Sequence, residues 1–103
     1  LLMQTYIVQW QFPDQESHMQ GVEAFASFVE GGCEGDEFDG FKVINRVLNP
    51  EGANGWAIVE SSNHQNIWKW SNVWVDNFGV DVEVTPVLTD QEFLSVHKEI
   101  TKT

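Results

Sequence analysis

A chain of 103 residues is long enough for one hydrophobic core and too short for two, so a single domain over residues 1–103 is expected. Its 42% hydrophobic and 20% charged residues, with five Trp, exclude a disordered chain. Sixteen acidic against five basic side chains give a net charge of −11, a field that repels phosphate backbones and anionic lipid heads, so neither nucleic acid nor membrane is expected as a partner.

Gln4 to Phe12 alternates, with Tyr6, Val8, Trp10 and Phe12 on one side and Thr5, Ile7, Gln9 and Gln11 on the other. That period of two predicts a half-buried strand. Pro13-Asp14 breaks it, and Ser17-His18-Met19-Gln20 reads as a capping box that opens a helix over 17–30, stopped by Gly31-Gly32. Residues 31–40 then read as an acidic, Gly-rich loop. No register of that loop supplies the alternating oxygen ligands of a calcium site. Gly40 to Leu48 resumes alternation and, across the turn residues 49–55, pairs with a third strand at Trp56 to Ser61.

Ser62-Asn63-His64-Gln65 repeats the capping-box pattern and predicts a second helix over 63–77, with Ile67, Trp70, Trp74 and Phe78 on its packing face and Trp68 off it. Gly79 ends it, and Val80, Val82 and Val84 alternate as a fourth strand. Thr89-Asp90-Gln91-Glu92 caps a short terminal helix carrying Phe93, Val96, His97 and Ile100.

The order βαββαβ plus a tail helix predicts an α+β, ferredoxin-like domain: a four-stranded antiparallel sheet, strands one and three central, two helices on one face and a short C-terminal helix. The more apolar set, including Tyr6, Val8, Trp10, Ala57, Val59 and Val82, belongs under the helices. Gln9, Arg46, Glu60 and Glu83 fall on the other, open face together with Ile7, Ile44, Trp56 and Ile58. Those four apolar side chains are too greasy for water, so the open face is expected to be the surface of a homodimer, with Trp56 as an anchor.

The strand end Trp10 to Phe12, Gly40-Phe41-Lys42-Val43, Gly55-Trp56-Ala57-Ile58-Val59-Glu60 and Val82-Glu83-Val84-Thr85-Pro86-Val87 together resemble a family of short bacterial and phage proteins of unknown function, similar in turn to the dimeric α+β barrel group. The resemblance covers most of residues 4–95 and rests on strand cores. It implies a dimer in which two open sheet faces meet.

No nucleophile elbow, phosphate loop or metal-binding Cys pair is present, so no catalytic residue, metal or cofactor is assigned. His18, His64 and His97 lack metal-ligand spacing, though His64 lies just beyond the third strand, where a cleft toward the second helix would open. Arg46 is the only arginine, and on the open face Glu60 or Glu83 is its expected ion-pair partner. The candidate ligand-binding residues are accordingly Arg46, Trp56, Glu60, His64 and Gln9. The expected function is a non-enzymatic homodimeric domain that binds a small ligand or a protein partner. The alternative is a cofactor-independent oxygenase-like or haem-degrading enzyme, since the barrel group includes such enzymes and Trp56, Asn45 and His64 are residue types they use; Gln9 and Gln11 stand in the first strand where an Asn would be needed. The lone Cys33 cannot form an internal disulfide, which agrees with a cytoplasmic protein. Met3 is a candidate initiator, which would place Leu1 and Leu2 outside the native chain.

Overall fold

The computed structural model describes residues 2–102; Leu1, whose place in the native chain is in question, and Thr103 lie outside the described residues. β1 (Gln4–Gln11) alternates as its sequence demands, burying Tyr6 and Val8. α1 (Gln15–Glu30) begins earlier than the capping box at Ser17 predicts. Asp14 is the cap, its backbone extended and its Oδ1 accepting from the Ser17 amide at 2.8 Å, so Ser17 sits inside the first turn. A carboxylate directly after Pro13 satisfies those free amides with full charge, which the Ser hydroxyl cannot match.

β2 (Glu37–Phe38) and β3 (Phe41–Asn49) form a hairpin through Asp39-Gly40, with Gly40 at φ 84°. This short strand corrects the expected four-stranded sheet to five and replaces part of the expected 31–40 loop. Its cause is local: Asp-Gly is a favoured two-residue hairpin turn, and the Phe38 and Phe41 rings it brings opposite each other stack at 4.9 Å. β4 (Asn54–Ser61) follows, then α2 (His64–Phe78), where Asn63 rather than Ser62 is the cap and accepts from the Asn66 amide at 2.9 Å. Gly79, at φ 65°, ends α2 in the left-handed conformation. β5 (Asp81–Val87) and α3 (Asp90–Ile100) complete the chain, and at α3 the predicted Thr89–Glu92 capping box is present in both directions.

The sheet order is β2-β3-β4-β1-β5, every pairing antiparallel, with β4 and β1 at its centre and β2 and β5 at its edges. That is the ferredoxin-like order with β2 added at one edge. Tyr6, Val8, Phe41, Ala57, Val59 and Ile67 form the core under α2.

One irregularity in β3 decides where the polar side chains go. Val43 pairs with Val59, but the next pair is Asn45 with Ile58, leaving Ile44 as an inserted residue. Such a bulge reverses the alternation beyond it. Arg46, now opposite the fully buried Ala57, therefore lies on the helix face. The expectation that Arg46 belongs to the open face is thus corrected.

Candidate functional site: a cavity between sheet and helices

α1 rests lightly on the sheet. Its one buried residue is Gly21, where an added Cβ would run into the Phe12 ring. The helix also packs His18 on the Phe12 ring at 5.2 Å and sets Phe25 and Phe28 against Trp74 of α2 at 6.1 and 6.2 Å between ring centroids. Long rings on both helices hold them above the strands, and between them a cavity of about 680 Å³ remains. Its aromatic walls are Trp10 and Phe12 from the end of β1, Phe25 and Phe28 from α1, Phe38 from β2, and Trp70 and Trp74 from α2. Trp70 and Trp74 stand on one side of α2 because they are four residues apart. Trp10 lies flat across β4 because its neighbour there is Gly55, at which any Cβ would collide with the indole.

One ion pair lines this cavity. Arg46 Nη1 and Nη2 donate to Asp36 Oδ1 and Oδ2 at 3.2 and 2.8 Å, and the two side chains are 14% and 18% exposed. The Trp70 Nε1–H donates to the same Oδ1 at 3.2 Å. The guanidinium carbon also sits 5.1 and 5.4 Å from the Phe25 and Phe28 ring centres, within cation–π range. Arg46 is therefore neutralised by a bidentate carboxylate and stacked on two rings, so its guanidinium is not free for an anionic ligand; the other cation lining the cavity, Lys69, sits 4.9 Å from the Phe38 ring centre. The loop that presents Asp36 turns through left-handed Gly32, Cys33 and Gly35. It is pinned by the Asp36 amide donating to the Cys33 carbonyl and the Val43 amide donating to the Asp36 carbonyl.

Of the five residues expected to bind ligand, Arg46 alone lines this cavity. Its partner is Asp36, correcting the expected Glu60 or Glu83; among the described residues this is the single ion pair. Glu60 instead stands opposite Lys42 and Thr5, and Gln9 opposite Trp56 and Glu83. Gln9, Trp56 and Glu60 thus share the open sheet face with Ile7, Ile44 and Ile58. His64 is the exposed first residue of α2. Asn45 sits in the bulge, where its Oδ1 accepts from the Arg46 amide at 2.9 Å. Trp56, Asn45 and His64 do not meet at the cavity. Asp36, Phe25 and Phe28 are the residues that sequence reasoning missed; the doubled apolar pairs Val43-Ile44 and Val47-Leu48, which break strict alternation, were the available sign of a bulge that moves Arg46 toward them.

No helix among the described residues is long and apolar enough to cross a membrane. The family model described as a domain of unknown function, DUF3303, matches residues 4–101. No curated protein matches the chain. Among solved structures, an uncharacterized protein from Thermotoga maritima is similar at 18% identity over 84% of this chain and 100% of that one, with a TM-score of 0.43. A dimeric ferredoxin-like protein from an uncultured marine organism is similar at 11% identity over 85% and 97%, with a TM-score of 0.44.

Proposed function

The chain belongs to the DUF3303 family of domains of unknown function, and we propose that it is a non-enzymatic binding domain whose helix–sheet cavity takes a neutral, flat, largely aromatic small molecule. The observation that carries this reading is the cavity itself. Its volume of about 680 Å³ falls in the range of roughly 300–1,000 Å³ usual for ligand pockets. Its walls carry seven Phe and Trp rings, and its arginine is already paired with Asp36. An anion would meet no free guanidinium and would approach a chain of net charge −11.

The same proposal includes a homodimer that uses the open sheet face, where Ile7, Ile44, Trp56 and Ile58 supply the apolar surface. A cytoplasmic setting is in keeping with the lone Cys33, and the charge is in keeping with neither nucleic acid nor membrane as partner.

Titration with the neutral dye Nile red tests the ligand reading. The expected result is saturable fluorescence enhancement at one dye per chain, with a rise in melting temperature. Ala26→Trp, which places an indole in the cavity from α1, should abolish both. Equal enhancement in that variant contradicts the proposal.

A further inference from the structure

Among the described helices, α3 is the one that packs no residue into the interior. None of its residues is buried, and Phe93 and Ile100 are 60% and 68% exposed. Yet it is amphipathic, with Phe93, Val96, His97 and Ile100 on one stripe and the Phe93 and His97 rings stacked at 5.9 Å. A lone helix of 11 residues is shorter than the roughly 12–15 residues at which isolated helices become even marginal in water. The molecule is correspondingly extended: its radius of gyration is 15.8 Å, against about 13 Å for a compact chain of this length.

The open sheet face is the second unpartnered surface. Ile44 and Val47 of β3 and Trp56 and Ile58 of β4 are all exposed there, beside Ile7 of β1. That patch spans three strands, about 10 Å across, and α3 is about 16 Å long, so one helix covers it. We propose that the homodimer is a reciprocal clasp, in which the apolar stripe of α3 from each copy lies on Ile44, Val47, Trp56 and Ile58 of the other. The inference rests on the homodimer reading given above and names what covers the face.

One observation favours α3 over a second sheet as the occupant: its own exposed apolar stripe, Phe93, Val96 and Ile100, which sheet-to-sheet pairing does not cover. The area agrees as well. The folded surface of 7156 Å² exceeds the roughly 5,900 Å² expected for this mass by more than the approximately 800 Å² per partner of a standard interface.

The test uses two full-length variants, Phe93→Glu on α3 and Ile58→Glu on the sheet face, with Val47→Glu as a second sheet variant should Ile58→Glu misfold. Circular dichroism confirms folding and sedimentation velocity reads the mass at micromolar concentration. The wild type should run at two chain masses and each variant at one. An equimolar mixture of the two variants should regain the dimer, because one intact α3 then meets one intact face. A monomeric wild type overturns the homodimer and the clasp together. A Phe93→Glu variant that stays dimeric overturns the clasp alone and leaves sheet-to-sheet pairing. Two monomeric variants that do not complement place α3 on its own sheet and also overturn it.

Discussion

Asp36 in the loop before β2 and Arg46 on β3, ten residues apart in sequence, meet as a bidentate pair with Nη1···Oδ1 at 3.2 Å and Nη2···Oδ2 at 2.8 Å. Trp70 donates to the same carboxylate, so a loop, an inner-facing strand residue and α2 are tied at one point on the cavity wall. Both side chains are less than a fifth exposed, which limits solvent screening of the pair. Arg46→Met should therefore cost roughly 3 kcal/mol, because Asp36 is left as an uncompensated, largely buried charge. Asp36→Asn should cost less, since its amide oxygen still accepts from Trp70. Urea denaturation of the two single variants and the double variant gives the coupling, expected above about 1 kcal/mol for residues in direct contact. Additive losses would mean that the pair contributes nothing of its own.

Gly55 holds its place for steric reasons. Its backbone is not left-handed, but a Cβ there meets the Trp10 indole and, at 2.9 Å, the Val47 carbonyl oxygen. Gly55→Val should destabilise by about 2 kcal/mol through overpacking and should displace Trp10 from the cavity wall. A thermal melt checks the first effect and loss of dye binding the second.

Asp14 carries a pH signature. Its carboxyl is held below the ordinary value of 3.8 by the backbone hydrogen bond from Ser17, with the Ser17 side chain adding to it. A depressed folded-state value means stability that is present above 3.8 and is lost as the pH falls through the lower, folded-state value. Asp14→Asn keeps a capping oxygen but has no proton to gain. Melting temperatures of wild type and variant should therefore converge as the pH drops below 4, and an unchanged difference from pH 7 to pH 3 contradicts the assignment.

The element order, the central strands and the packing face of α2 were legible because each rests on local periodicity: Tyr6-Val8-Trp10 at two residues, Ile67-Trp70-Trp74 at three and four. The Thr89–Glu92 cap was legible for the same reason. The Asp39-Gly40 hairpin was equally local but was hidden by the acidic residues around it. The site was not legible. Its position depends on the single inserted residue Ile44, which sends Arg46 to the face opposite the one its number implies. It depends also on Asp36, one of several carboxylates in its loop, whose distinction arises only when that loop folds back. Gly55 and Gly21, which let Trp10 and Phe12 lie where they do, carry no side chain to announce it.

The five tryptophans make the most direct test. Trp10, Trp70 and Trp74 line the cavity, while Trp56 lies on the open sheet face and Trp68 is 53% exposed on α2. Each indole N–H gives its own signal in a ¹H–¹⁵N correlation spectrum. Addition of saturating neutral aromatic probe should shift the signals of Trp10, Trp70 and Trp74 and leave those of Trp56 and Trp68 in place. Shifts confined to Trp56 and Trp68, or none at all, would contradict a ligand site between sheet and helices.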